Sequence, residues 1–159
     1  MISQIVQFDK LIDASINIGK ISYAAWFAIS ATIYLVVGLL IATVVYFYIN
    51  KKRNKKLELV LIGMTVLFFV VEVIKRLVGR IRPNGELFSF PSRHAAFAFF
   101  IALSLPVKKP VYKVLLIAWA VLVSVSRILL HKHYLSDVVF GIGFGVLAVF
   151  VLKYFEKTS

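Results

Sequence analysis

The chain has 159 residues, of which 61% are hydrophobic, and its mean hydropathy is +0.92. Soluble domains are about half apolar, so this composition excludes an ordinary soluble domain and indicates one membrane domain. The formal net charge is +12. The apolar stretches are too long for a nucleic-acid-binding protein, so anionic lipid headgroups or phosphorylated substrates are the expected counterparts, and the absence of cysteine excludes disulfides and thiolate metal sites.

Residues 1–20 are predicted to form an amphipathic helix that lies on the membrane surface. Apolar residues recur there at helical spacing: Met1, Ile5, Phe8, Ile12 and Ile16. Three charged residues interrupt the apolar run: Asp9, Lys10 and Asp13. Because a continuous apolar core is missing, no signal peptide is expected. A loose polar tail is the alternative.

Five membrane spans are expected, near residues 21–49, 57–79, 92–107, 111–130 and 134–155. Backbone polar groups must be satisfied within lipid, so all five are predicted to be helices, and the fold class is an all-α integral membrane bundle forming a single domain over residues 1–159. The third span is the shortest, with Pro106 near its end. Glycines in the last span, in the sequence GIGFG, predict close helix packing.

The loop charges predict the orientation of the bundle. Segments 50–56, 107–113 and 153–159 hold five, three and two Lys or Arg residues, and five spans place all three segments on one side. The other side carries nine such cations, so a raw count barely decides; if some of those nine have a chemical role, the positive-inside rule makes the first side cytoplasmic. Three polar clusters then meet at the extracytoplasmic face, in residues 75–83, 90–94 and 126–137. Ionisable residues at membrane depth are costly, so their convergence indicates a functional site.

The first two clusters suit a phosphate. Lys75 and Arg82 are seven residues apart and share a face of a continuing helix, although snorkelling of two flanking cations is the alternative. Ser92 is a plausible N-cap after Pro91, and the first turn, with His94, offers free N–H groups to an anion. A cap without further function is the alternative.

The third cluster suits nucleophilic chemistry. His133 and Asp137 are four residues apart on one helix face, so the carboxylate can hold one ring nitrogen and leave the other free as nucleophile or base. Arg127 offers a planar guanidinium to phosphoryl oxygens. His131 and Lys132, in the turn, are expected to be solvated.

Metal chemistry is a poor fit to these clusters. The acids near this face are Glu72, Glu86 and Asp137, and a two-metal phosphatase needs more ligands than these. The composition of the clusters describes metal-free phosphoryl transfer through a phosphohistidine.

Together the motifs resemble a known family. They read Lys75, six residues, Arg82-Pro83; Pro91-Ser92-Arg93-His94; and Ser126-Arg127, five residues, His133, three residues, Asp137. This pattern is similar to the type 2 phosphatidic acid phosphatase family, which shares its site with the vanadium haloperoxidases. Many membrane members of that family have six spans, so the chain resembles a member without the first.

The resemblance implies a role for each motif residue. His133 would be the nucleophile, Asp137 would orient it, and His94 would be the general acid and then the base. The phosphoryl oxygens would be bound by Lys75, Arg82, Arg127, Ser92 and the backbone N–H of Arg93. Arg93 stands where the family usually has glycine. Its side chain predicts a contact to a second phosphate, and a solvated arginine is the alternative.

The expected function is a multi-pass lipid phosphatase of the cell membrane, with an extracytoplasmic site, no cofactor, no metal and no nucleic-acid partner. Its substrate would be a lipid phosphate or diphosphate, with a polyprenyl diphosphate favoured over phosphatidylglycerophosphate or phosphatidate. A non-enzymatic lipid-binding or transport protein is the alternative, although it has no need for His133 beside Asp137. Vanadate-dependent oxidation is disfavoured in a chain this membrane-bound.

Overall fold

A computed structural model of the protein describes residues 2–16, 20–51 and 54–158. These residues form six helices and no strand: α1 (Ile2–Ser15), α2 (Lys20–Ile49), α3 (Lys55–Val78), α4 (Arg93–Ser104), α5 (Pro110–Leu129) and α6 (Leu135–Thr158). The predicted all-α membrane fold is confirmed. Met1, part of the predicted apolar stripe, and Lys52 and Arg53, part of the predicted cytoplasmic loop, lie outside the described residues.

Four of the described helices, α2, α3, α5 and α6, are long and apolar enough to cross a membrane. The predicted short third span differs, because α4 has only 12 residues. At 1.5 Å per residue it is about 18 Å long, less than the roughly 30 Å of a hydrocarbon core. It ends at Ser104 because Pro106 disfavours helical backbone at Leu105. Lys113 Nζ of α5 then donates to the carbonyls of Ala102, Leu103 and Leu105, at 2.9, 3.2 and 3.0 Å.

Helix α4 lies at the centre of the bundle, in contact with α2, α3, α5 and α6. Four of its six buried residues are alanines. The six are Ala95, Ala96, Ala98, Phe100, Ile101 and Ala102. The alanines let neighbouring helices approach closely. The surrounding helices turn large apolar side chains outward, as expected for a surface covered by lipid; Leu39, Phe69 and Phe150 are 68%, 62% and 66% exposed.

The glycines of α6 make the closest contact with α4. A Cβ added to Gly141 would lie 2.5 Å from the Ser92 carbonyl oxygen, and one added to Gly145 would lie 2.3 Å from that of Ala96. A Cβ at Gly143 would meet nothing within 4 Å. The close packing predicted from GIGFG is therefore confirmed for Gly141 and Gly145. It fixes the beginning of α4 against the beginning of α6, where two of the three motifs lie.

Helix α1 packs against α6. Its predicted apolar residues Ile5 and Phe8 are exposed, which fits a helix whose apolar face meets lipid. Asp9, which the sequence marks as an interruption of the apolar run, is instead 2% exposed and faces the protein. This inward carboxylate connects α1 with the beginning of α6.

Candidate active site

Six of the predicted site residues line one polar cavity of about 170 Å³ together with Tyr34: Lys75, Arg82, Arg93, His94, Arg127 and His133. The cavity lies where α3 ends, α4 begins and the α5–α6 connection passes. The three motifs therefore meet as the sequence predicts. The other two predicted residues, Ser92 and Asp137, are 0% exposed and lie behind the cavity wall.

The loop between α3 and α4 fixes the first motif. Gly79 closes α3 in the left-handed conformation, with φ of 59°. The loop then folds on itself, because Ser89 N donates to Arg80 O at 2.7 Å and Arg82 N donates to Glu86 O at 2.7 Å. Lys75 is 5% exposed and donates from Nζ to Phe88 O at 2.8 Å. The loop carbonyls thus hold this buried ammonium at the cavity.

The second motif begins α4. Ser92 is the N-cap, as predicted, and its side chain accepts from Ala95 N at 3.5 Å. Ser92 N donates to the Asp137 carbonyl oxygen at 2.9 Å, which joins the beginnings of α4 and α6. His94, in the first turn, meets Tyr34 of α2 edge to face, with ring centroids 5.6 Å apart. Tyr34 carries no motif signal, and the sequence does not identify it as a site residue.

The third motif provides the cavity with Arg127 and His133. Arg127 is 8% exposed, and its Nη1 donates to Ser30 Oγ of α2. His133 is 3% exposed, and its Nδ1 lies 3.7 Å from Asp137 Oδ2. That distance is longer than a hydrogen bond, although it leaves Nδ1 as the ring nitrogen nearer the carboxylate. Burial, reinforced by the charges of Lys75 and Arg127, lowers the pKa of His133 to about 4 despite the opposing effect of Asp137.

Asp137 is held by three donors in addition to its proximity to His133. Oδ2 accepts from Tyr134 N at 2.9 Å and from the Ser89 hydroxyl, and Oδ1 accepts from Arg80 Nη1 at 2.7 Å. Arg80 and Ser89 both come from the α3–α4 loop. The sequence does not identify either residue as part of the site, although Arg80 is one of four cations in the stretch 75–83.

Glu86 links the loops on the outer side of the cavity. Its carboxylate accepts from Arg82 Nη1 at 2.7 Å and from Lys132 Nζ at 2.7 Å. The hydrogen bond from Lys132 is the main reason that the pKa of Glu86 is lowered. His131, also predicted to be solvated, has its Nδ1 2.6 Å from Asp13 Oδ1. Lys132 thus forms an ion pair and His131 contacts a carboxylate, whereas the sequence predicts solvation alone.

Three buried side-chain nitrogens of cavity residues have no hydrogen-bond partner among the described residues: Arg82 Nε, Arg127 Nε and His133 Nδ1. Buried polar groups are nearly always paired, so the two unpaired arginine donors favour a ligand with several acceptor oxygens, whereas His133 Nδ1 is the nitrogen nearer Asp137. Within the described part of the chain, no three His, Cys, Asp or Glu residues lie close enough together to hold a metal ion.

Comparison with known proteins agrees with this geometry. The model of the PAP2 superfamily matches residues 84–159. Phosphatidylglycerophosphatase B of Bacillus subtilis is 32% identical over 129 residues, which are 70% of this chain and 62% of the relative. The resemblance to the PAP2 superfamily is confirmed. Lipid A 1-phosphatase of Rhizobium etli is 37% identical over 101 residues, which are 51% of this chain and 43% of that relative.

Two solved structures share the fold of this PAP2-like chain. The Bacillus subtilis transmembrane PAP2 type phosphatidylglycerolphosphate phosphatase matches with a TM-score of 0.78 at 22% identity, over 98% of this chain and 87% of that one. Aquifex aeolicus LpxE matches with a TM-score of 0.75 at 21% identity, over 94% of each chain. The matched region covers less than two thirds of the length of either curated relative described above.

Proposed function

We propose that the chain is a membrane lipid phosphatase that transfers a phosphoryl group to His133. The cavity carries this proposal: four cations and two histidines surround about 170 Å³ of space, with the unpaired Nε groups of Arg82 and Arg127 buried beside it. These cations offer donors and no acceptor, which suits a phosphoryl group whose oxygens gain charge in the transition state.

A second cavity supports a lipid as the substrate. Its volume is about 240 Å³, and it adjoins the first by sharing Tyr34, Arg93 and His94. The remaining lining residues are apolar: Ile33, Val37, Phe68 and Phe97. A phosphate bound by the cations would have its apolar alcohol portion in this second cavity, beside His94. That arrangement fits an ester with a lipid leaving group within a membrane-embedded bundle.

The reaction assigns one step to each histidine. The His133 ring nitrogen that faces away from Asp137, Nε2, attacks phosphorus and displaces the lipid alkoxide, which takes a proton from His94. The proposed intermediate is an N-phosphohistidine whose positive ring is stabilised by Asp137. Water then attacks phosphorus while His94 accepts its proton. This step breaks the P–N bond, releases inorganic phosphate and restores neutral His133.

Two features bear on the choice of substrate. The names of the relatives, phosphatidylglycerophosphatase and lipid A 1-phosphatase, favour a phosphate monoester of a membrane lipid. Arg93 favours a diphosphate such as a polyprenyl diphosphate, because this arginine lines both cavities. It already lies 3.5 Å from Glu72 and 5.3 Å from the ring centre of Phe68. A second phosphate would have to compete with Glu72 for it.

Phosphate release from a panel of lipids tests the proposal. Purified protein in detergent micelles is given phosphatidylglycerophosphate, phosphatidate, lipid A 1-phosphate or a polyprenyl diphosphate, each with excess EDTA. We expect the wild-type protein to release phosphate from at least one lipid at a rate that the chelator does not change. His133→Ala should release none. An acid-labile, base-stable label from a ³²P substrate should appear on the wild-type protein alone. Loss of activity in EDTA with recovery in magnesium would contradict the metal-free mechanism, and binding without hydrolysis would favour the lipid-binding alternative.

A further inference from the structure

Asp9 of α1 binds the beginning of α6 from outside that helix. Its Oδ1 accepts from Ser136 N at 3.1 Å, and its Oδ2 accepts from the Ser136 hydroxyl. The first turn of a helix has unpaired N–H groups and a positive dipole end, so a carboxylate there is stabilising. Asp9 therefore caps the helix that carries Asp137, although it is distant from it in sequence. Such a buried carboxylate would be costly without these partners.

Arg80 joins Asp9 to Asp137. Its Nη2 lies 2.8 Å from Asp9 Oδ2, and its Nη1 lies 2.7 Å from Asp137 Oδ1. Nη1 also donates to Ser136 Oγ at 2.7 Å, and the guanidinium lies over the ring of Tyr134, 4.4 Å from its centre. These contacts connect Asp9 with the carboxylate of Asp137, which lies beside His133. None of them lines the phosphate cavity.

The charges explain why two acids flank one arginine. Arg80 alone would neutralise Asp137 and weaken its attraction for a positive His133 ring. Asp9 compensates part of the positive charge of Arg80, so the two carboxylates and the guanidinium together carry one net negative charge. That charge faces His133, whose ring becomes positive when it is phosphorylated. Removing the charge of Asp9 without changing its shape would leave Arg80 to act on Asp137 alone.

We propose that Asp9 and Arg80 are positioning residues for the reaction at His133, through which helix α1 sets the orientation and effective charge of Asp137. The inference rests on the proposed phosphohistidine mechanism. It assigns α1 a role in turnover in addition to its predicted location on the membrane surface.

Asp9→Asn is the central test, and Asp13→Asn is its matched control. Asp13 is one turn further along α1 and pairs with His131, with no contact to Arg80 or Asp137. We expect Asp9→Asn to lower kcat by about ten- to a hundred-fold, as losses of supporting hydrogen bonds do at other sites. KM should stay within about twofold, since no phosphate contact is removed. Asp13→Asn should leave both constants near wild type.

A double-mutant cycle separates positioning from general stabilisation. If Asp9 acts through Asp137, the variant that combines Asp9→Asn with Asp137→Asn should be as slow as Asp137→Asn alone, whereas independent effects would multiply. Melting temperatures of all variants are measured in the same micelles. Should Asp9→Asn fail to fold, Arg80→Lys replaces it, because lysine keeps the charge but cannot bridge both carboxylates as the guanidinium does.

Nuclear magnetic resonance of ¹⁵N-histidine-labelled protein gives a readout that needs no turnover. We expect the ring nitrogens of His133 to report one tautomer in wild type and a mixture in Asp9→Asn, while Asp13→Asn alters only His131. An Asp9→Asn protein with wild-type kcat and unchanged His133 resonances would overturn the inference. If wild type releases no phosphate, the proposed function fails, and the resonances still decide whether Asp9 positions His133.

Discussion

At the scale of single residues, the most consequential feature is a buried, neutral His133. Burial beside Lys75 and Arg127 lowers its pKa to about 4, which keeps the ring unprotonated and nucleophilic at neutral pH. The cations that would bind phosphate thus also help to keep the proposed nucleophile unprotonated. Asp137 Oδ2 at 3.7 Å is close enough to orient the ring after a small contraction. Such loose geometry is common in sites without substrate.

The stability of the protein should fall on acidification for the same reason. An unfolded histidine has a pKa of about 6.5, whereas that of folded His133 is about 4. Between about pH 4 and about pH 6.5 the unfolded chain binds one more proton at this histidine than the folded protein, so the free energy of unfolding rises with pH. Outside this range His133 makes no contribution to the pH dependence. Melting temperatures from pH 4 to 7 should show a slope in wild type that His133→Gln reduces. Equal slopes in the two proteins would contradict the assignment.

The two histidines should also differ in their response to the leaving group. His94→Ala removes the proposed acid for the departing alkoxide, so activity on a nitrophenyl phosphate, whose leaving group needs little protonation, should fall least. We expect His94→Ala to lose at least about tenfold more activity on the lipid than on the nitrophenyl ester. His133→Ala should lose both activities. Equal losses by His94→Ala on both substrates would exclude its role as the acid.

Asp137→Asn should lose up to about four powers of ten in turnover, as the equivalent change does in a serine-protease triad.

At the scale of helices, the contact between α4 and α6 holds the second motif against the third. Ser92 N donates to the Asp137 carbonyl oxygen, and the Gly141 backbone lies against the Ser92 carbonyl. A side chain at Gly141 would therefore push away the turn that presents His94. Because α4 is buried and rich in alanine, it has little room to move.

Three glycine variants test this contact. Gly141→Ala and Gly145→Ala should each destabilise the bundle by about 1–3 kcal/mol, as overpacking does. Gly141→Ala should also lower kcat, because it displaces the beginning of α4. Gly143→Ala is the matched control, since its Cβ would meet nothing within 4 Å; it should be neutral or stabilise the helix by up to about 1 kcal/mol. Thermal melts and phosphate release measure both effects, and three equal melting temperatures would show that the contact yields freely.

The sequence predicts the helices and the motif residues well because both depend on local patterns. Long apolar runs identify α2, α3, α5 and α6, and fixed spacings identify Lys75, Arg82 and His133. The role of Arg80 could not be predicted, since it depends on Asp9, 71 positions away along the chain. Residue Asp9 itself resembles any polar residue of an amphipathic helix. The capping of the end of α4 by Lys113 likewise depends on a tertiary contact, whereas Pro106 already indicates where that helix stops.

At the scale of the whole molecule, the two ends of the bundle carry different kinds of charge. At the active-site end, charged side chains are mostly paired or buried, as for Arg80, Arg82 and Lys132. At the other end, the lysines in and beside the loops are exposed, and Lys56 forms an exposed ion pair with Glu156 at 2.8 Å. If the cations of the proposed site are left out of the comparison, the remaining loop cations carry the topological signal. The solvated lysines of the far end therefore favour a cytoplasmic location for that end and an extracytoplasmic location for the site.

Cysteine labelling in intact cells tests this orientation, and the natural chain has no cysteine to give a background. Asn84→Cys places a thiol in the exposed loop at the active-site end, and Lys108→Cys places one in the exposed connection at the other end. Neither residue lines the cavity, so phosphate release should confirm that both variants fold. We expect an impermeant thiol reagent to label position 84 in intact cells, and position 108 only after the membrane is permeabilised. The reverse pattern would place the site at the cytoplasmic face, where a lipid substrate would have to be presented from the inner leaflet.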